Sequence, residues 1–549
     1  MSIPSLRPVM CASAALLECG SWLVSLPLLF SLNLNGDIHG FFKGKGGLKA
    51  SKIHLSPIFL LLVWILDDLF IFARGDLDSA RVIMESLEEF KLTSGLVPSI
   101  PKSTAFFCNV PNHVKISILN IMPFAEGNLP VKYLGVPLIS SRLLNKDCKV
   151  LVEKAKNRIE DWKNKSLSFA GRLQLCKSVI SSLHVYWASV LIIPKGIIYD
   201  IQSLIRGFLW CNGEYKRGKA KVAWDDICLP KCEGGLGLRS LDLFNMALMT
   251  THIWNIVSNK ESLWVRWIHT YKLRNRSFWD LPIKDNVSWG WLKLLQLRVL
   301  VRPFFWVKLG NGRDTSVWHD TPILNLIPAP NLDENTVDCI RWRDINGVFS
   351  EFSVSRAWEA FRPHGNEVNW FRIVWFPHSI RRYSFHLWLV MRNSLKTQDK
   401  LRQWDVGINT NLNLLRCSLC NTQSDSHAHL FFECPYSSKV WKLVSHLADM
   451  ELVPPILYDI VDHLQPMANK RTARSIFGKL ILAASSYFVW LERYNCLFKN
   501  VKRTPEELRD VIMVTVGLKL LSFKFKNSVN VISLLDRWKM PRSFRLYVC

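Results

Sequence analysis

Three cysteines and one histidine form the tightest cluster of metal-ligating residue types in the sequence. Cys417 and Cys420 are separated by two residues, His429 follows after eight more, and Cys434 after a further four. A cysteine pair at this spacing supplies one half of a tetrahedral zinc site, and a histidine with a third cysteine completes it. Three thiolates and one imidazole leave no open coordination position, so the spacing predicts a structural Zn²⁺ ion rather than a catalytic one.

Two alternatives remain open for this cluster. His427 lies two residues before His429 and offers the same ligand, but His429 is favoured because an apolar Leu-Phe-Phe run follows it and Cys434 lies one helical turn further. The second alternative is that the cysteines are reduced core residues with a histidine nearby by chance, since free cysteine behaves as a small buried hydrophobe.

A second group with potential chemistry is the pair Asp67-Asp68. Apolar runs at 62–66 and 69–73 flank the pair, and this pattern predicts a buried β-hairpin with both carboxylates at its tip. Adjacent carboxylates in so apolar a setting are unfavourable unless a cation neutralises them, and two-metal phosphoryl transfer uses carboxylates in this way. The local pattern is equally compatible with an Asp-Asp turn that faces solvent.

The overall charge indicates a polyanionic partner. Lys and Arg outnumber Asp and Glu by 70 to 45, which gives a formal charge of +25, while apolar residues make up 49% of the chain. Nucleic acid, as RNA, DNA or both, is the favoured partner, and a generic basic protein or a membrane-surface binder is the alternative. The 23 Trp residues suit base stacking but also suit a hydrophobic core.

Cysteine usage and the apolar segments limit the compartment. The 14 cysteines are scattered through a long chain, unlike a small secreted disulfide scaffold, so a reducing compartment, nucleus or cytoplasm, is expected. The apolar runs at 21–32 and 57–66 are shorter than the about 20 residues that a membrane-spanning helix needs. The run at 21–32 also lacks a dense basic n-region and an obvious small-residue cleavage site, so we predict no signal peptide, no transmembrane segment and no stable membrane association.

Hydrophobic periodicity supplies the elements that would position these groups. In 150–162, Leu151, Ala155, Ile159 and Trp162 fall on one face of a helix, and a second helix follows with Ser168 as its N-cap. The glycine-rich stretch 234–237 predicts a tight connector rather than a phosphate-binding loop, because no Gly-Lys-Ser/Thr follows it. Short β-like runs at 300–350 predict a small sheet, and 470–549 predicts a basic helical tail.

Several stretches resemble the reverse transcriptases of plant LINE-type (non-LTR) retroelements. The Asp pair is similar to the paired catalytic aspartates of that family, with Ile65 and Leu66 in place of its aromatic residue and alanine. The resemblance implies catalytic positions at Asp67, Asp68 and Lys102, and a primer grip at Tyr133, Leu134 and Gly135. The run 162–172 is similar to the family's thumb signature, which implies nucleic-acid contacts by Lys163, Lys165 and Arg172.

The Cys/His region resembles the zinc-binding domain that follows these polymerases. The stretches that carry the resemblance are 352–358, Trp370, Trp375, 385–389, 429–435 and Val440-Trp441, and 490–493 is similar to the family's tail. The resemblance supports zinc at Cys417, Cys420, His429 and Cys434. Arg381, Arg382 and Arg392 flank this module and are candidate phosphate contacts, although a purely structural role for zinc is equally compatible with the sequence.

Departures from the family predict a polymerase without activity. The family carries a further catalytic aspartate upstream, whereas the acidic residues before Asp67 are Glu18 and Asp37. The substrate-binding loop is also changed, because the Gln, Gly, Asp and Pro of the family are absent from 47–57. Mg²⁺ is therefore expected only if the polymerase site still functions.

Together these observations predict an α+β chain in five parts. The expected parts are a truncated palm remnant at 1–140, a helical thumb and connection at 141–260, a linker with a β-rich segment at 261–349, a small helical zinc-binding domain at 350–445 and a basic helical tail at 446–549. The expected function is a retroelement-derived RNA-directed DNA polymerase fragment that binds nucleic acid and is inactive. The alternatives are a zinc-dependent nucleic-acid-binding protein without enzymatic activity and a non-functional pseudogene product.

Overall fold

The computed structural model describes most of the chain. The described residues are 21–27, 61–65, 68–95, 97, 99–107, 110–128, 132–133, 136–137, 139, 142–163, 166–211, 220–283, 287–313, 334–402, 416–525 and 528–540. Helices and small sheets are both present, and helix predominates, which agrees with the predicted α+β class at a coarse level.

The strands are short and are distributed over three sheets. In chain order they are β1 (Ser21–Pro27), β2 (Leu61–Ile65), β3 (Asp68–Arg74), β4 (Thr104–Phe107), β5 (Ala125–Gly127), β6 (Lys132–Tyr133), β7 (Val136–Pro137), β8 (Phe305–Lys308), β9 (Cys339–Arg343) and β10 (Phe349–Ser350). The sheet orders are β2-β3-β1-β4-β5, β10-β9-β8 and β6-β7. The predicted pairing of the two apolar runs is confirmed, because β2 and β3 pair antiparallel with Ile65 opposite Asp68, while the predicted burial of the hairpin at 61–70 and the placement of its two carboxylates lie outside the described residues.

The helices make up most of the remaining structure. They are α1 (Leu77–Ser94), α2 (Asn112–Ile121), α3 (Asn145–Lys163), α4 (Phe169–Leu175), α5 (Ser181–Leu183), α6 (Val185–Ala188), α7 (Lys195–Cys211), α8 (Trp224–Cys228), α9 (Leu241–Val257), α10 (Leu263–Trp267), α11 (Trp289–Val301), α12 (Val354–Phe361), α13 (Phe371–Val374), α14 (Arg381–Met391), α15 (Gln398–Arg402), α16 (Pro435–Ser445), α17 (Leu457–Leu464), α18 (Ala473–Lys499), α19 (Pro505–Leu520) and α20 (Val529–Arg537). None that the structure describes is both long and apolar enough to cross a membrane.

The predicted helix stripe of α3 is confirmed. Leu151, Ala155 and Ile159 are buried at 4-residue spacing, while Lys154 and Arg158 between them are exposed. Ser168 caps α4 as predicted, because its hydroxyl accepts the Gly171 backbone N–H at 3.3 Å. The second helix then departs from the prediction, since 176–180 widens into a π-helical turn.

The chain divides into two compact units, each built from discontinuous segments. The first comprises residues 1–152, 184–199 and 241–362, and the second comprises 153–183, 200–240 and 363–549. In the first, α9, α11 and α12 enclose a core with β8 and β9, in which Ile253, Val265, Trp342 and Ala357 are fully buried. In the second, α14 and α16 pack against α18, and α16 also packs against α19.

Candidate functional site

The four predicted metal-ligating side chains come together in the second unit. The ligand atoms of Cys417, Cys420, His429 and Cys434 all lie within 4.8 Å of one another. Cys417 Sγ is 3.9 Å from Cys434 Sγ, and Cys420 Sγ is 3.2 Å from His429 Nε2. A tetrahedral ion with Zn–S bonds of about 2.3 Å has S–S edges of about 3.8 Å, so this donor set fits Zn²⁺ in number, type and spacing.

A tight hairpin presents the first two cysteines. Arg416 and Ser424 form a β-bridge, and the Cys417 N–H donates to the Gln423 carbonyl at 2.8 Å. Asn421 closes the turn with φ of 59°, a left-handed conformation that Asn tolerates better than most residues. Thr422 then donates its hydroxyl to Cys420 Sγ at 3.1 Å.

A broken helical turn presents the other two ligands. His429 begins a short π-turn that ends at Glu433, and Phe432 inside it adopts φ of 81°. That backbone conformation is strained for an aromatic residue, and Ser437 Oγ accepts the Phe432 N–H at 3.2 Å. The break directs Cys434 toward His429, whose carbonyl accepts the Cys434 N–H at 2.6 Å.

Cys434 also lies at the amino-terminal end of α16. Its shared hydrogen bond with Cys417 lowers the pKa of the Cys434 thiol and raises that of Cys417, and backbone amides of Ser437 and Tyr436 lower the pKa of Cys434 further. The helix end therefore favours the thiolate, which is the form that binds a metal.

His427 is not part of the cluster. Its ring packs 4.8 Å from the ring of Phe431, and burial, together with the nearby Lys400 ammonium, lowers its pKa to about 4. Of the two histidines that the sequence left open, the structure therefore brings His429 to the cysteines.

A buried ion pair, which sequence reasoning missed, anchors the loop between the ligands. Arg493 of α18 donates through Nε to both carboxylate oxygens of Asp425, at 2.9 and 3.1 Å, and the two side chains are 6% and 1% exposed. The Gln398 backbone N–H donates to the same carboxylate at 2.9 Å. The signal available was the resemblance of 490–493 to the family tail, but its partner lies 68 residues away.

The glycine-rich connector supports α14, which lies in the zinc-binding region. Gly234 adopts φ of 81°, and a Cβ on Gly235 would lie 2.0 Å from the Leu229 carbonyl oxygen, so both positions require glycine. The Gly234 carbonyl accepts the Trp388 indole N–H at 2.8 Å and an Arg392 N–H at 3.3 Å. The predicted tight connector is confirmed, and it holds α14 through these two side chains.

The side chains that were predicted to contact nucleic acid differ in their exposure and in their partners. Arg381 and Arg382 are exposed at the start of α14, and Arg392 forms an ion pair with Asp226 at 2.6 Å. Arg172 lies over the Phe169 ring at 5.5 Å, and burial lowers its pKa. Lys163 ends α3, but its side chain and all of Lys165 lie outside the described residues.

Little of the predicted polymerase site falls on described residues. Asp67, Leu134, Gly135 and the altered loop 47–57 lie outside them, as do the side chains of Asp68, Lys102 and Tyr133. The backbone places Asp68 at the start of β3, Lys102 at the end of a 3₁₀ turn and Tyr133 in β6.

Comparison with known proteins identifies the zinc-binding region. Residues 352–441 match the model of the family described as zinc-binding in reverse transcriptase. The match includes Cys417, Cys420, His429 and Cys434 and extends back to α12. The resemblance drawn from the sequence is thereby confirmed, and the family match and the Cys₃His cluster together indicate zinc binding.

Two curated proteins of Arabidopsis thaliana are similar to the chain. One, provisionally named a ribonuclease H protein, is 26% identical over 56% of this chain and 57% of its own length. The chain thus spans little more than half of that relative. The other is an uncharacterised mitochondrial protein, 29% identical over 28% of this chain and 99% of its own length.

Proposed function

We propose that this chain, which carries the zinc-binding domain of a retroelement reverse transcriptase, is a zinc-dependent nucleic-acid-binding part of a plant LINE-type polymerase and has no polymerase activity of its own. Zn²⁺ held by Cys417, Cys420, His429 and Cys434 would join the hairpin at 416–424 to the end of α16. With four protein ligands the ion would act as a structural staple. The polymerase-like region at 1–140 and the thumb-like helices at 141–260 would be the remnant of the enzyme.

The observation that carries nucleic-acid binding is a cluster of cations in the second unit. Two effects lower the pKa of Lys177 to about 8: burial, which is the larger, and the nearby positive charge of Lys231. The pKa of Lys231 is lowered mainly by burial and also by the nearby positive charge of Arg381. Lys231 thus repels both Lys177 and Arg381, and a bound polyanion would relieve this repulsion.

The start of α14 adds to this basic surface, which we define as Lys177, Lys231, Arg381 and Arg382. Two arginines occupy the first turn of α14, and no side chain caps it within the described residues. Cations at a helix amino terminus are unfavourable against the helix dipole, whereas backbone N–H groups there suit a phosphate. A phosphate at this position would satisfy both the amides and the guanidinium groups.

Aromatic rings accompany these cations. Lys231 lies 4.3 Å from the centroid of the Trp375 ring, and Lys221 lies 5.0 Å from that of Phe169. Phe169 in turn stacks on Phe385 of α14 at 5.8 Å. Cation–aromatic contacts of this kind hold charges in place at partly buried positions, where they act on a polyanion more strongly than in water.

Equilibrium binding with a salt titration tests the proposal. We expect the full chain, purified with zinc, to bind a labelled 20-nucleotide single strand with an affinity that falls steeply with salt. The double variant Arg381→Glu/Arg382→Glu should weaken binding and reduce the slope of log affinity against log salt by about 1 to 2, since each phosphate contact contributes about 0.7 to 0.9.

A matched pair of cations supplies the control. Lys470 and Arg471 are adjacent and exposed in the same unit, in the segment that precedes α18. The variant Lys470→Glu/Arg471→Glu changes the net charge equally, so its slope should change by much less. Equal changes of slope in the two double variants would show that binding depends on net charge alone and not on the basic surface. No binding by the wild-type chain would overturn the proposal.

A further inference from the structure

The three-stranded sheet of the first unit has two unlike faces. Phe305 and Trp342 are opposite each other in β8 and β9, and both are buried in the core. Because side chains alternate along a strand, their neighbours point to the other side of the sheet. The side chains on that outer face include Trp306 and Lys308 of β8, Arg341 and Arg343 of β9, and Phe349 of β10, which is opposite Arg343.

Two aromatic rings and a guanidinium form the centre of this outer face. Arg343 lies 4.5 Å from the centroid of the Trp306 ring and 5.9 Å from that of Phe349. The two rings are 6.0 Å apart at 75°. The Trp306 indole N–H donates to the Pro303 carbonyl at 2.9 Å, which fixes the plane of the ring.

This face is open rather than part of a core. The Phe349 side chain is 55% exposed, and Ile345 and Val348 in the adjoining turn are exposed by 51% and 59%. An exposed aromatic ring of this size is unfavourable in water and gains by stacking against a planar partner.

The positive charge of this outer face favours an anionic partner. It carries Lys308, Arg341 and Arg343, and Glu351 pairs with Arg341. Asp344 is in the β9–β10 turn, where it accepts the backbone N–H groups of Asn346 and Val348. The cations thus outnumber the carboxylates of the face itself, and rings interleaved with cations match a ligand that has flat bases and a phosphate backbone.

We infer that the outer face of β8–β10 is a second nucleic-acid contact, which binds a single strand by stacking its bases on Trp306 and Phe349. The side chains of Lys308, Arg341 and Arg343 contact the neighbouring phosphates. The inference rests on the proposed nucleic-acid-binding function but uses a surface in the other unit of the chain. It also gives a role to the β-rich segment, which the zinc-binding domain does not include.

A strand without bases distinguishes stacking on this face from electrostatic attraction to phosphates alone. We expect the full chain to bind a labelled oligothymidylate 12-mer more tightly than an abasic 12-mer with the same phosphates. Trp306→Ala/Phe349→Ala should weaken binding to the oligothymidylate by about fivefold or more, the usual effect of removing a stacking ring, and should leave the abasic 12-mer unchanged. Trp306→Tyr/Phe349→Tyr, which keeps two rings, should retain most of the affinity.

Tyr199→Ala is the matched control, because Tyr199 is an aromatic residue of the same unit that is 62% exposed. It should bind both 12-mers as the wild type does. Photocrosslinking of the wild-type chain to a 4-thiothymidine 12-mer, with the adduct mapped by mass spectrometry, reads the contact without any substitution. Adducts at Trp306 or Phe349 are expected.

Three outcomes would overturn the inference. The first is unchanged oligothymidylate affinity in Trp306→Ala/Phe349→Ala while Arg381→Glu/Arg382→Glu weakens it, which leaves the proposed function intact. The second is loss of self-association by the sheet variant with nucleic-acid affinity unchanged, which makes the face a protein interface. The third is no binding of either 12-mer by the wild-type chain, which removes the proposed function as well.

Discussion

His427 and His429 are two residues apart, and their surroundings assign them different roles. His429 directs Nε2 to Cys420 Sγ, whereas the His427 ring lies against Phe431. The backbone explains this separation: the turn that begins at His429 departs from helical geometry at Phe431 and Phe432 and brings Cys434 back to the first ligand pair. An uninterrupted helix through the same residues would leave the ligand set incomplete.

A pair of histidine substitutions tests the ligand assignment. We expect His429→Ala to lower zinc affinity by more than the about 10- to 100-fold that loss of an outer-shell partner costs, because it removes one of four donors. His427→Ala should bind one zinc ion per chain as the wild type does, although loss of its packing against Phe431 lowers the free energy of unfolding. Zinc content and competition with a chromogenic chelator measure both effects.

The same two variants can overturn the assignment of His429 as the zinc ligand. If His427→Ala releases zinc and His429→Ala retains it, the other histidine is the ligand, and the hairpin and the π-turn adopt a different arrangement when the metal binds. Retention by both single variants and loss in the double variant would mean that either ring can complete the site.

At the scale of elements, helix α18 holds the zinc loop through one ion pair. Asp425 lies between Cys420 and His429 in sequence, and its carboxylate accepts from Arg493, the last buried residue of α18. A buried pair with several hydrogen bonds contributes little relative to an apolar substitute, but losing one member leaves a buried charge without compensation.

Breaking this pair should therefore loosen the zinc loop. Arg493→Met leaves the Asp425 charge buried, and we expect the free energy of unfolding to fall by about 3–5 kcal/mol. Lys439→Met is the control, because Lys439 pairs with Glu506 at 2.8 Å with side chains 57% and 45% exposed, and solvent screening of this pair means that its loss should change the free energy of unfolding far less. Urea unfolding in excess zinc compares the two variants.

Equal and small losses in both variants would show that water reaches Asp425 and that the pair does not anchor the loop. The double variant Asp425→Leu/Arg493→Met distinguishes charge from packing. It should recover much of the loss, since it removes both charges together.

These elements also show where sequence reasoning succeeds. The ligand spacing at 417–434, the buried stripe Leu151-Ala155-Ile159 and the Ser168 cap depend on neighbours within a few residues, so local pattern is sufficient. The contacts of Asp425 with Arg493 and of Gly234 with Trp388 join residues 68 and 154 positions apart. No local pattern encodes such pairs, and the π-turn at 176–180 likewise departs from the regular period on which the prediction relied.

The two compact units of the molecule do not follow the linear order of the chain. The family match begins at residue 352, but α12 packs against α9 in the first unit, and the Cys/His cluster belongs to the second. Chain segments that are distant in sequence thus form each unit, which a linear reading of composition does not reveal.

The charge of the whole molecule and its altered polymerase signature lead to opposite expectations for binding and catalysis. A formal charge of +25 favours association with nucleic acid. Polymerisation needs more, because carboxylates must hold two metal ions and a loop must hold the incoming nucleotide. The stretch 47–57 lacks the Gln, Gly, Asp and Pro of the polymerase loop that it resembles, and on that resemblance the nucleotide would lose its contacts.

We therefore expect these 549 residues to bind a primer–template without extending it. The measurement is primer extension with the full chain, zinc and either Mg²⁺ or Mn²⁺, alongside a binding assay on the same primer–template. Asp68→Asn serves as the matched control: since Asp68 is one of the paired aspartates, any real synthesis should disappear in this variant, whereas a contaminating polymerase would be unaffected. Synthesis by the wild-type chain that Asp68→Asn abolishes would contradict the prediction, because it would require that other side chains of this chain replace the lost contacts and complete the metal site.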